Sequence, residues 1–278
     1  MPNSILTIDY HSKTFGKEFT TSLKNTGFAI LKNHPISRDL ISSIYDEWKI
    51  FFNSDYKHSY LFDKIKQDAY FPYLSENAKG SNIKDLKEFY HIYSWGRYPS
   101  QISDNTNKLI KQFKEIAEKL LFEIDQNSPN SIKEKFSIPL HEMIQNSGQN
   151  LLRIIHYPPL QGNEDSSAIR AAAHEDINLI TLLVAGSQPG LQVLDQDQNW
   201  IDVSTSPEYI IVNVGDMLQE TSSDFYPSTT HRVVNPNNEN ISRYSMPFFV
   251  HARDEVVLSK KYTAKSYLEE RLKEIGLK

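Results

Sequence analysis

From Leu151 onward the apolar residues come in short runs cut by turn-forming residues. The runs are Leu151 to Tyr157, stopped by Pro158-Pro159, then Leu179 to Val184, Gly190 to Leu194, Trp200 to Val203, Tyr209 to Val214, Thr230 to Val234 and Arg243 to Val250. Ser-Gln-Pro-Gly190, Asp195 to Asn199, and Asn235 to Asn240 supply the breaks, because Gly, Pro, Asn and Asp favour the dihedral angles of tight turns. Many short strands at this spacing predict a sandwich or jelly-roll barrel, which manages exposed strand edges by doubling the sheet. Residues 151–260 are therefore read as a β core.

The first 150 residues follow a different period. Between about residues 13 and 53 apolar positions recur at helical spacing, interrupted by a strand-like run, Gly27-Phe-Ala-Ile-Leu31, that ends in Asn33-His34-Pro35. Ser37 has the hydroxyl of an N-cap for the segment that starts at Arg38. From about Asn105 to Ile124, Leu109, Ile110, Phe113, Ile116, Leu120 and Leu121 form one apolar stripe. A closing helix is expected from Ala264 to Ile275, broken at Gly276. The expectation is one domain over 1–278, mainly β with flanking helices: residues 1–150 mainly helical, 151–260 the β core and 261–278 a C-terminal helix.

Composition narrows the chemistry more than the fold. A hydrophobic share of 39% with 23% charged residues is that of a globular chain with a substantial core. The formal charge of -5, spread along the chain, offers no basic stripe, so nucleic acid is not expected as a partner. The sequence contains no cysteine, which excludes disulfides, thiolate metal sites and a cysteine nucleophile, so any metal must be held by nitrogen and oxygen. The start of the chain lacks the pattern of a secretion signal and no apolar run approaches a membrane span, so a cytoplasmic location is expected, with no membrane partner and no obligate protein partner implied.

Against that background one constellation stands out. In an extended chain His174 and Asp176, at i and i+2, point the same way, with Glu175 turned aside. With His231 they make two imidazoles and one carboxylate, a ligand set that leaves open positions on a metal and is associated with non-haem Fe(II) oxygenases. Arg243 and Ser245, again at i and i+2, offer a guanidinium and a hydroxyl to a carboxylate. A zinc hydrolase is disfavoured because no positioned general base accompanies the ligands. His156, opposite in parity to Tyr157 and Arg153, reads as structural, Asp216 as a turn carboxylate, and His91 and His251 fall outside the triad spacing.

Several ordered blocks carry a family resemblance. Gly27-Phe-Ala-Ile-Leu-Lys-Asn-His-Pro-Ile, Asp85-Leu-Lys-Glu-Phe-Tyr-His91, Leu151 to Pro159, His174-Glu-Asp176, Gly190-Leu-Gln-Val-Leu, Asn213-Val-Gly-Asp216-Met-Leu, His231-Arg-Val-Val-Asn-Pro and Arg243-Tyr-Ser-Met-Pro-Phe-Phe follow one another in order. The chain resembles the isopenicillin N synthase-like branch of the Fe(II)/2-oxoglutarate-dependent dioxygenases over nearly its whole length. The resemblance implies a double-stranded β-helix (jelly-roll, cupin-like) core. It also implies Fe(II) on His174, Asp176 and His231, and 2-oxoglutarate on Arg243 and Ser245 with help from Tyr157. The reaction implied uses O2, with ascorbate as a reductant, releases succinate and CO2, and hydroxylates, desaturates or cyclises a small molecule.

One block departs from the family pattern: Ile155 stands where relatives often carry Asn, so the co-substrate contact there is altered. Parity along the strands places Phe249 with Arg243 and Ser245, Arg153 with Tyr157, and Glu88 with Tyr90. Relatives use these positions for substrate, and they suggest a pocket for a polar, zwitterionic or aromatic small molecule; Arg170, four residues before His174, either joins that cavity as a further substrate contact or lies on the surface. A buried Arg-Glu ion pair packed in aromatics is the competing reading of the same residues. Two functional alternatives keep the fold: an iron oxidase that does not use 2-oxoglutarate, since Arg-x-Ser also occurs in such relatives, and a catalytically silent ligand-binding protein.

Overall fold

The alternation of side chains decides the layering. The computed structural model describes residues 4–77, 83–184, 186–204, 206, 208–236 and 239–274. Ile275 and Gly276 of the expected closing helix, and Asn237 and Asn238 of the expected turn, lie outside the described residues. Twelve strands are described: β1 (Thr7–Asp9), β2 (Phe28–Lys32), β3 (Ala69–Phe71), β4 (Glu88–Ile92), β5 (Leu151–Tyr157), β6 (Ala171–His174), β7 (Ile180–Val184), β8 (Leu191–Leu194), β9 (Trp200–Asp202), β10 (Ile210–Val214), β11 (His231–Val233) and β12 (Arg243–Val250). The helices are α1 (Phe15–Thr26), α2 (Arg38–Phe52), α3 (Asn105–Asn127), α4 (Asn130–Lys133), α5 (Leu140–Met143), α6 (Asp216–Ser222) and α7 (Ala264–Glu274).

The strands form two sheets. The larger runs β1-β2-β10-β7-β12-β5-β4-β3 and the smaller β6-β11-β8-β9, antiparallel throughout except for the β1–β2 pair. This is the jelly-roll arrangement that the strand spacing predicts, with helices on one face. Both faces of the larger sheet are buried. Leu152, Ile154, Leu182, Val212, Met246 and Phe248 face the helices and pack with Phe113 and Leu120 of α3. Their odd-parity neighbours Ile155, Tyr157 and Ile211 face the smaller sheet and meet Leu191, Val193 and Val233. A strand buried on both faces loses its polar alternation. That is why β3 escapes a reading based on period and β4 shows only the shared parity of Glu88 and Tyr90.

The amino-terminal half carries helices α1 to α5 and also supplies four strands, β1 to β4, at the two edges of the larger sheet. Three expected features hold closely: Ser37 accepts from the Leu40 amide at the start of α2, α3 carries the Leu109 to Leu121 stripe, and β12 spans Arg243–Val250. Gly27 ends α1 at φ 69°, and a Cβ there would lie 2.2 Å from Thr229 Oγ1. Glycine is needed both for the left-handed turn and for this close approach. The turn delivers Phe28 to β2 beside the segment that leads into His231.

Candidate metal and co-substrate site

His174 is the last residue of β6 and His231 the first of β11, and the two are cross-strand partners in the smaller sheet. Pairing places their imidazoles side by side, ring centroids 4.4 Å apart. After His174 the chain leaves the smaller sheet for β7 of the larger one, so β6 ends before Asp176 and strand parity does not orient this residue. Hydrogen bonds orient it instead. The Asp216 amide donates to the Asp176 carbonyl at 2.7 Å. Thr181 Oγ1 and Asn213 Nδ2, cross-strand partners on β7 and β10, donate to Asp176 Oδ2 at 2.6 and 2.8 Å. Oδ1 remains, 3.9 Å from Nε2 of each histidine.

The tautomers follow from the same network. His174 Nδ1 lies 2.8 Å from the Ala172 carbonyl and His231 Nδ1 3.1 Å from that of Thr229. A carbonyl only accepts, so Nδ1 carries the proton and Nε2 keeps its lone pair. Burial, with His231 adding to it, pushes His174 down to about 4, which keeps the ring neutral. Burial works to raise the Asp176 carboxyl, but the two histidines and the two hydrogen bonds outweigh it and hold the group below its usual range. The three ligand atoms lie within 4.8 Å of one another, and among the described residues they form the one group of this kind. Two neutral nitrogens and one anionic oxygen, each fixed from behind, fit a divalent first-row metal such as Fe(II).

Thr181 and Asn213 are the contacts that sequence reading missed. Outer-sphere partners of this type are worth about 10- to 100-fold in metal affinity. Thr181→Val and Asn213→Ala are each expected to weaken metal binding by about that factor. Competition against a calibrated chelator measures it, and unchanged affinity in both variants would show that Asp176 needs no clamp.

Arg243, Ser245 and Tyr157 come together inside the sandwich. Arg243 pairs with Tyr157 across β12 and β5, and Ser245 with Ile155. The Arg243 guanidinium is 1% exposed, stands 5.1 Å from the Tyr157 ring centre and donates from Nε to the Gln188 carbonyl at 3.0 Å. A Cβ on Gly186 would lie 2.7 Å from Arg243 Nη2, so glycine makes room for the group. Arg243 Nη1 is buried and, among the described residues, has no partner. A guanidinium held this way suits a carboxylate. Arg170 is 2% exposed and lies 6.0 Å from the same tyrosine ring, donating to the Ile241 carbonyl at 2.7 Å.

A cavity of about 590 Å³ opens beside His174 and Asp176. Arg153 and Phe249 line it, as parity on β5 and β12 predicts. Glu88 and Tyr90 do not, and this corrects the expectation from the sequence. In the β4–β5 register His91 lies opposite Arg153, while Glu88 lies opposite His156 and Tyr90 opposite Ile154. Directly opposed residues share a face, so once Arg153 points inward, Glu88 and Tyr90 must point to the helices. Glu88 there accepts from Lys57 Nζ at 2.9 Å, bonds His156 Nδ1 at 2.7 Å and takes the Tyr70 hydroxyl. His156 also stacks on Tyr244, so its structural reading holds. Tyr90 packs against Trp48 and Phe51 and donates to the Arg97 carbonyl.

The residues that line the cavity in their place are Lys87, His91 and Glu76. Lys87 Nζ sits 2.7 Å from Glu76 Oε2 and 2.8 Å from Asp85 Oδ2. Arg153 reaches both Glu76 oxygens, at 3.3 and 3.4 Å, and donates from Nε to His91 Nε2 at 2.8 Å. His91 Nδ1 faces the Gln67 carbonyl at 2.7 Å, and burial followed by Arg153 pushes this imidazole down to about 3. An Arg-Glu pair against an aromatic ring therefore exists, but it is part-buried, with Glu76 in place of Glu88 and Phe89 4.5 Å below the guanidinium. His251 and Asp216 also line the cavity, though neither belongs to the metal cluster. Among the described residues no helix is long and apolar enough to cross a membrane.

Comparison with known proteins agrees with this geometry. Residues 148–252 match the model of the 2OG-Fe(II) oxygenase superfamily, and residues 5–115 match that of the non-haem dioxygenase in morphine synthesis N-terminal region. The crystal structure of a candidate oxygenase from Shewanella oneidensis is 49% identical, with a TM-score of 0.89 over 98% of this chain and 99% of that one. A 2OG-Fe(II) oxygenase family protein from Caulobacter crescentus is 29% identical, with a TM-score of 0.81 over 98% and 99% of the two chains. The 2-oxoglutarate-Fe(II) type oxidoreductase hxnY of Emericella nidulans is 38% identical over 120 residues, 42% of this chain and 33% of its own length. The match thus spans about a third of that curated relative. With the ligand set, the sandwich and these matches in agreement, the chain belongs to the 2OG-Fe(II) oxygenase superfamily.

Proposed function

We propose that this chain is an Fe(II)- and 2-oxoglutarate-dependent oxygenase acting on an uncharged, hydrogen-bonding small molecule. The observation that carries the reading is the convergence of His174 Nε2, His231 Nε2 and Asp176 Oδ1, with Nδ1 of each ring and Oδ2 already engaged. His174, Asp176 and His231 would hold the iron, and Arg243, Ser245 and Tyr157 the distal carboxylate of 2-oxoglutarate. With iron bound, the site supplies oxidising chemistry in which 2-oxoglutarate becomes succinate and carbon dioxide as dioxygen is reduced. The chain's own contribution is to bind, orient and exclude water. Hydroxylation, desaturation and cyclisation are all compatible with it.

Charge balance on the Arg153 side of the cavity supports the substrate class. Lys87 and Arg153 are matched by Glu76 and Asp85, and His91 is held neutral by burial. A charged substrate docked on this side would have to break one of its ion pairs and leave the other member short of a partner. Arg153, His91 and Phe249 then present hydrogen-bonding and apolar surface to a neutral molecule.

The test is succinate formation with Fe(II), O2, ascorbate and a panel of neutral, anionic and cationic small molecules. Succinate formation stimulated by neutral members is expected. Oxygen uptake without succinate would point to the same-fold oxidase, and stimulation only by charged members would overturn the substrate class.

A further inference from the structure

We infer that Arg170 is a second cationic group for the distal carboxylate of the co-substrate, so that two buried guanidinium groups, Arg170 and Arg243, serve one end of the ligand. The inference rests on the proposed use of 2-oxoglutarate. Both groups are almost fully enclosed, at 2% and 1% exposure, and both approach the ring of Tyr157. Among the described residues each keeps a buried N–H with no acceptor, Nε of Arg170 and Nη1 of Arg243. Among the described residues no carboxylate is paired with either.

The contrast within the same molecule is informative. Arg153, on the neighbouring wall, has both oxygens of Glu76 and the ring of His91. An arginine placed for structure alone would be expected to have such partners, because a buried cation without one is costly and a second cation nearby makes it more so. Burial and the proximity of Arg243 pull Arg170 down to about 10. An anionic ligand end relieves both terms, since it can accept from the free N–H of each group. The bond from Arg170 to the Ile241 carbonyl, two residues before Arg243, fixes its guanidinium next to the start of β12.

Calorimetric titration of the Mn(II)-loaded full chain with 2-oxoglutarate, and with pyruvate, which lacks the distal carboxylate, tests this. Arg170→Met is expected to weaken 2-oxoglutarate about 10- to 100-fold and to leave pyruvate unchanged. Arg170→Lys should recover part of the loss. With no anion present, Arg170→Met should melt at a higher temperature than wild type, because a buried uncompensated charge has been removed. Unchanged 2-oxoglutarate affinity, an equal loss for pyruvate, or a variant that melts lower or fails to fold would each overturn the inference and make Arg170 a strut for the Ile241 carbonyl. A wild-type chain that binds Mn(II) but no 2-oxoglutarate overturns the parent reading along with this one. Normal wild-type binding with an indifferent Arg170→Met overturns this one alone.

Discussion

Asp176→Ala is expected to abolish iron binding and to lower turnover by at least about a thousandfold, the factor that corresponds to about 4 kcal/mol of barrier. Asp176 supplies the only anionic ligand of the cluster, and without it two neutral imidazoles face the ion alone. The substitution also strands the donors of Thr181 and Asn213, which are buried at 2% and 4% exposure and aimed at the lost oxygen. Nothing nearby replaces the carboxylate at the same position, because Glu175 is turned aside and accepts from Thr230. Two measurements check the expectation: iron content after anaerobic loading, and the visible charge-transfer band on addition of Fe(II) and 2-oxoglutarate. A variant that keeps stoichiometric iron and the band would remove Asp176 from the ligand set.

The second large effect concerns stability and leaves the site untouched. Glu88→Gln is expected to cost about 3–5 kcal/mol, the range for breaking a buried ion pair by removing one partner. Glu88 is 5% exposed and serves Lys57, Tyr70 and His156 at once, beneath the rings of Phe52 and Tyr244. Burial works to raise its carboxyl, but the bonds from His156, Tyr70 and Lys57 outweigh it and hold the group below its ordinary value. The sign of the pH dependence follows. A lowered folded-state value means that the contribution is present above the unfolded value of about 4.3 and is lost as pH falls through the folded one. Wild type should therefore lose stability on acidification below about pH 4.3, and Glu88→Gln should lose less over the same window. Denaturant melts between pH 3 and pH 7 read both quantities. Affinity for metal and 2-oxoglutarate should be unchanged in the variant. A drop in affinity with normal stability would return Glu88 to the cavity.

Much of the fold was legible because short strands with turn chemistry between them leave a mark on the sequence. The runs expected from β5 onward appear within a residue of their bounds, α2 shows its cap and α3 its stripe, while β6 was not among the expected runs. β3 and the bounds of β4 were illegible for a physical reason. Their residues are apolar or ion-paired on both faces, so period carries no signal. Glu88 and Tyr90 show the consequence. The sequence places them on one face of one strand, but only the register against β5 says which face.

By itself the sequence determined the ligand types, the absence of thiolate chemistry, the guanidinium and hydroxyl at i and i+2 on β12, and the doubled sheet. These follow from residue identity and local period, which need no partner. The tertiary structure alone decided what holds Asp176, which face of β4 meets the cavity, that Glu76 compensates Arg153, and that Arg170 stands uncompensated near Arg243. Each of these depends on residues distant in sequence meeting across strands or loops, where hydrogen bonding and charge compensation are settled by packing rather than by spacing along the chain.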